Sequence, residues 1–138
     1  MDHLSPEQRS LNMARIRSRD TAPELTVRRL LHAGGYRYRL HDRRLPGTPD
    51  LSFPGRRSAI LVHGCYWHRH PGCRFARVPG TRTEFWQRKF AANVERDSRV
   101  IGELRRQGWR VLVVWSCETT GRDLAAKLTA FLDGAAAC

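Results

Sequence analysis

A chain of 138 residues, 41% of them hydrophobic, is long enough to bury the core of one ordinary domain, and it has no apolar run able to span a bilayer. Its opening, MDHLSPEQRS, lacks secretory character, so a cytoplasmic protein with no membrane contact is expected, one in which cysteines stay reduced. The formal net charge of +12 excludes an acidic solvating chain and favours a polyanionic partner.

No repeat, low-complexity tract or linker interrupts the sequence, which predicts a single domain over 1–138. Residues 6–18 read as a short basic helix with Leu11 and Met13 among its few apolar groups, so 1–20 form a basic N-terminal arm. Asp20 and Thr21 are cap-type residues and Pro23 suits a first turn. ELTVRRLLHAGG then reads as a helix ended by glycine. YRYRL alternates like a strand, PGTPD is a turn leading into the short strand LSF, and RRSAILV is the next strand. TRTE fits a capping box, with Thr81 as cap and Glu84 three residues on. A long helix follows to about Gln107, with Gly108 as its stop. RVLVVW reads as a strand buried on both faces, and GRDLAAKLTAFLDG as a closing amphipathic helix. Strands interleaved with helices give an α/β domain with a central mixed sheet.

The segment HGCYWHRHPGC, residues 63–73, concentrates the chemistry. Reduced Cys65 and Cys73 flank histidines, and Cys117 follows the RVLVVW strand. These thiols with one imidazole make a Cys3His set, the closed tetrahedral donor group of structural zinc. Spacing alone does not choose between His68 and His70, and inert thiols beside solvated histidines are the plain alternative. The histidines left over suit general-base work or phosphate contact. Tyr66 and Trp67 lie on this same loop, in a stretch (51–110) with thirteen basic and four acidic residues. Aromatics on a basic surface suggest stacking on bases or wedging between them, while packing over the metal site is the alternative.

Two carboxylates stand out. Asp50 ends PGTPD at the head of a strand, where a carboxylate can hold Mg2+ with substrate phosphate and waters, although Pro-Asp turns are common and usually structural. Phe90, Val94, Asp97, Ile101 and Leu104 form the inward stripe of the long helix, and Asp97 interrupts it. Such a carboxylate either reaches solvent at the stripe's edge or meets a histidine or arginine.

RSLNMARIRSRDTAPE, LPGTPDLSF, ILVHGCYWHRHPGC, RTEFWQRKFAANVERD and LRRQGWRVLVVWSC together resemble, in unbroken order over residues 9–117, the very short patch repair (Vsr) mismatch endonuclease family. The resemblance implies a restriction-endonuclease-like fold with a structural zinc and an Mg2+-dependent nick in double-stranded DNA. The nick falls 5′ of the thymine in a T:G mismatch left by deamination of 5-methylcytosine. It implies zinc on Cys65, His70, Cys73 and Cys117, and Mg2+ on Asp50 helped by the backbone carbonyl of Val62. His68 is then the general base supported by Asp97, His63 contacts the scissile phosphate, and Glu24 stands in the outer shell of the cation. Tyr66, Trp67 and Trp86 become the wedge beside the mismatch, and the arm tipped by Met13 closes over the minor groove. The chain departs from related nucleases in reading LVHG where they place Glu-x-Lys, which makes histidine the base. Val62 stands where some relatives carry threonine, and Tyr66 where phenylalanine is usual.

A monomer is expected, since one wedge serves one mismatch, with contacts to other mismatch-repair proteins as further partners. Two competing functions are a nuclease of the same fold that cuts paired restriction sites and a zinc-stabilised DNA-binding module without catalysis. The wedge argues against the first. The trio Asp50, His68 and Asp97 argues against the second, because mere binding has no use for carboxylates near phosphate.

Overall fold

The structure, a computed structural model, describes residues 21–76 and 80–136. The expected N-terminal arm, with Met13, and Cys138 lie outside the described residues. Helix α1 spans Ala22–Ala33. Thr21 caps it, its hydroxyl accepting from the Glu24 amide, with Pro23 in the first turn as expected. At the other end Gly35 takes φ +83, and the Gly34 and Tyr36 amides return to the Leu30 and Leu31 carbonyls.

That closure consumes the start of the expected YRYRL strand. Only Arg39–Leu40 pair as β1, because the chain is still turning off α1 when it passes Tyr36. Strand β2 is Leu51–Phe53, and a 3-10 turn at Pro54–Arg56 leads to β3, Ser58–His63. Helix α2, Thr83–Arg106, is 24 residues long and connects β3 to β4, Arg110–Trp115. A 3-10 turn, Ser116–Thr120, then leads into α3, Leu124–Ala136. The sheet order is β1-β2-β3-β4, antiparallel at the first two pairings and parallel between β3 and β4. This is the mixed sheet expected from the sequence. Among the described residues no helix is long and apolar enough to cross a membrane.

Side-chain alternation along β3 and β4 sorts the core into two layers. Ile60 and Val114 pack with Val27 and Leu31 of α1 and with Leu124, Leu128 and Leu132 of α3. Ala59 turns to the opposite face, where it meets Leu104 of α2 and Trp109, with Val100 and Val111 alongside. The α2 face of the sheet is therefore the one that presents the last inward side chain of β3, His63.

Two expectations need correction. Thr81 does not cap α2. Arg82 occupies the cap position in a left-handed conformation, φ +52, with no side-chain hydrogen bond, and Thr81 stays exposed. The long helix thus starts from a left-handed bend, and Glu84 serves the positive end of the helix dipole rather than a box. Strand β4 is also not buried on both faces. Val114 alone is fully buried, because β4 is the outer strand and part of its α2 face borders an open cavity.

Candidate active site and metal centre

The loop leaving β3 is wound into tight turns, with the His68 amide on the Gly64 carbonyl, His70 on Cys65 and Cys73 on His70. This winding brings Cys65, His70 and Cys73 to Cys117, which sits in the turn after the neighbouring parallel strand. One donor atom from each of the four lies within 4.8 Å of all the others. His70 Nδ1 stands 3.6 Å from Cys65 Sγ and 3.5 Å from Cys117 Sγ. Ordinary Zn–S and Zn–N bonds at a tetrahedral angle require about 3.6 Å between such atoms. The donor set therefore fits zinc in both chemistry and spacing. Electrostatics point the same way. Burial alone would raise the Cys65 thiol, but donation from the Ser116 hydroxyl, the Cys117 amide and His70 outweighs it and brings the thiol down to about 7. Burial and the neighbouring Cys65 push Cys117 up to about 11, since crowded thiolates repel unless a cation sits among them. His68 is not part of this group.

His68 turns the other way and joins His63 and Asp97, whose donor atoms also lie within 4.8 Å of one another. Its Nδ1 is 2.6 Å from Asp97 Oδ2, and its ring stacks on His63 at 4.0 Å and 7°. Asp97 thus meets a histidine while staying partly exposed, and the stripe of α2 is itself imperfect, with Val94 44% exposed. His63 is buried, and that burial, with His68 beside it, pulls its imidazole down to about 4. The ring is neutral near neutral pH and acts as a hydrogen-bonding group rather than a charge.

Asp50 and the His68–Asp97 pair line one cavity of about 220 Å3, together with Val62 and His63. Its Oδ2 accepts from the Val62 amide at 2.7 Å. In an extended strand the N–H and C=O of one residue leave on the same edge, so the Val62 carbonyl also faces the side where Asp50 stands. A carboxylate and a peptide oxygen opening on a cavity suit a hard, six-coordinate divalent cation. Burial, followed by the neighbouring Glu24, raises Asp50 to about 6 against the lowering effect of the Val62 amide. Glu24, 1% exposed, forms a third group with His41 and Asp50. Gly47 shapes the approach. It takes φ +71, and a Cβ there would sit 2.3 Å from Val100 Cγ1 on α2.

The aromatic residues gather beside this site. Tyr66 and Trp67 meet edge to face at 4.9 Å, and both pack on Phe90. Trp67 reaches Trp86 at 6.0 Å, and Lys89 lies over both indoles. Tyr66, Trp67 and Trp86 are half-buried, while Phe85 beside them is 40% exposed. The ring over the Cys/His group is instead Trp115, stacked on His70 at 4.3 Å.

Sequence reasoning passed over four residues that build this site. His41 contacts Glu24, and Trp115 backs both His70 and His63. Asn93 donates to the Trp67 carbonyl, and Arg69 donates to the Tyr66 and Ala76 carbonyls while stacking on Phe90 at 4.1 Å. None of the four sits in a spacing that distinguishes it from an ordinary surface or core residue.

Comparison with known proteins follows the same lines. The family described as DNA mismatch endonuclease Vsr matches residues 1–74. A type II nicking enzyme, V.XorIIP, of Xanthomonas oryzae pv. oryzae is 50% identical over 96% of this chain and 97% of its own length. The DNA mismatch endonuclease Vsr of Escherichia coli is 49% identical over 83% of this chain and 73% of its own. V.NmeAIP, a type II nicking enzyme of Neisseria meningitidis, is 38% identical over 89% and 87%.

Proposed function

The chain belongs to the DNA mismatch endonuclease Vsr family, and from that membership we propose that it nicks double-stranded DNA 5′ of the thymine in a T:G mismatch. It does so as a monomeric single domain of restriction-endonuclease-like fold. The observation that carries this reading is the shared cavity, lined by both Asp50 and the His68–Asp97 pair.

Asp50 and the Val62 carbonyl would hold the catalytic cation, Mg2+ by the chemistry of the donors, with Glu24 in its outer shell. Bound there, the cation supplies charge neutralisation at the phosphate. The chain's own groups do the rest. Asp97 fixes the His68 tautomer by accepting from Nδ1, so Nε2 carries the lone pair that takes a proton from the attacking water. His63 stacks on that ring and holds its plane, and as a neutral imidazole it offers a hydrogen bond to the scissile phosphate.

Zinc on Cys65, His70, Cys73 and Cys117 would hold the loop that carries both His68 and the aromatics. Tyr66, Trp67 and Trp86 form the wedge that enters beside the mismatch. A mispaired step costs less to unstack than a good one, so insertion converts weak pairing into selection. The basic arm with Met13 would close over the minor groove, and surfaces outside the cleft are left for other repair proteins.

The test is a nicking assay on matched duplexes that differ only at one pair. With Mg2+, the T:G duplex is nicked on the thymine strand and the C:G duplex stays whole. Equal cleavage of both would sink the mismatch reading in favour of a restriction-type enzyme, and binding without any cleavage would leave only a DNA-binding module.

A further inference from the structure

We propose that His41 is a positioning residue for the cation site, acting through Glu24. The inference rests on the reading of Asp50 as a cation ligand. Glu24 is 1% exposed, and a carboxylate so far removed from water needs hydrogen-bonding partners on both oxygens. Arg28 takes one, 3.2 Å from Oε2, and His41 Nε2 stands 2.6 Å from the other, Oε1. Donor atoms of Glu24, His41 and Asp50 all lie within 4.8 Å of one another, though the three come from α1, the segment after β1 and the head of β2.

The backbone of His41 ties the same three together. β1 pairs Leu40 with Leu51, and one residue further on the His41 amide donates to the Asp50 carbonyl at 3.2 Å. His41 itself takes φ +48, a left-handed conformation uncommon for a residue with a Cβ. The chain just beyond is fixed by Asp42, whose Oδ1 accepts from both the amide and Nε of Arg44. One residue therefore grips Asp50 by its main chain and Glu24 by its ring, and sets the separation of two carboxylates that otherwise repel. That separation decides how strongly a divalent ion is drawn between the strand and α1. Side chains that orient a metal's carboxylates from behind commonly change metal affinity about 10- to 100-fold when removed.

The test uses the full-length zinc-bound protein and Mn2+ as the hard-cation probe, with free Mn2+ read by its electron paramagnetic resonance signal. His41→Ala weakens Mn2+ binding about tenfold or more, while His41→Gln, which keeps a side-chain N–H donor, recovers most of the affinity. Nicking of a T:G duplex by the alanine variant then needs correspondingly more Mn2+ but returns at saturation. Where alanine prevents folding, His41→Leu keeps the volume without the donor and takes its place. A folded His41→Ala or His41→Leu protein with wild-type Mn2+ affinity overturns the inference, as does a folded His41→Gln protein as weak as the alanine variant. Asp50→Asn separates the two layers of the proposal. If it abolishes Mn2+ binding while His41→Ala changes nothing, only the role of His41 falls. If it leaves binding untouched, the cation reading of Asp50 falls and takes His41 with it.

Discussion

His68 on the wound loop and Asp97 on α2 meet at 2.6 Å, Nδ1 to Oδ2, across 29 positions of sequence. With one ring nitrogen committed to a carboxylate, the other is the only place for a proton to arrive. Asp97→Asn keeps the shape and lets the ring take the wrong tautomer. Its nicking rate should fall by about two orders of magnitude or more, with zinc content and melting temperature near wild type. Single-turnover nicking at saturating Mg2+ measures this, and an unimpaired Asn variant removes Asp97 from the mechanism.

On the proposed function, His68 and His70 of the wound loop have separate tasks. His70→Ala should lose the metal, measured as a fall from about one zinc per chain toward none, together with a lower melting temperature. His68→Ala should keep its zinc and lose about 100- to 10,000-fold in nicking rate. The reverse pattern would exchange their roles.

Asp50 carries a cost that pH exposes. Its carboxyl is raised from an ordinary value of 3.8 to about 6 in the folded chain, chiefly by burial. Above about pH 6 both states are ionised and the folded one bears the full penalty. Between the two values the folded state binds more protons, so stability falls as pH rises, and below 3.8 the penalty vanishes. Without added divalent cation, Asp50→Asn should therefore be more stable than wild type by about 2–3 kcal/mol near pH 8, with little difference near pH 3.5. Denaturant melts at the two pH values measure it. A variant no more stable than wild type at pH 8 would mean that the carboxylate is not held at a cost. The same variant should not nick.

Gly47 makes a left-handed bend in the PGTPD turn, with φ +71 and no room for a Cβ beside Val100. Gly47→Ala combines a left-handed alanine with a collision against α2 and should cost about 2–4 kcal/mol. Adding Val100→Ala relieves the collision but not the conformation, so the double variant should recover part of the loss. Strict additivity of the two changes would place the cost elsewhere.

Many of the residues that gather here stand out by type in the sequence, although spacing alone left His68 and His70 interchangeable. Four soft ligands around a strand end point to zinc, a carboxylate at a strand head points to a hard cation, and Asp97 stands out because it breaks an apolar stripe. What stayed hidden depends on the sign of backbone angles and on partners far apart in sequence. Thr81 looks like a cap, yet the left-handed turn at Arg82 takes that place. His41 looks like a loop histidine, and only the pairing of β1 with β2 carries it to Asp50 and Glu24. RVLVVW has the composition of a central strand, but among the described residues no further strand covers its outer edge. Trp115 reads as the end of that strand, and its stacking on His70 follows from the parallel register of β3 and β4.

Tyr66, Trp67 and His68 all fall between two donors of one metal group, Cys65 and His70. On the proposed function, the rings that would sense a distorted duplex and the imidazole that would activate water hang from the same pin. Loss of a metal held there would then forfeit discrimination and cutting in one event, so damage to the clamp would yield a silent protein rather than a nuclease that severs sound DNA.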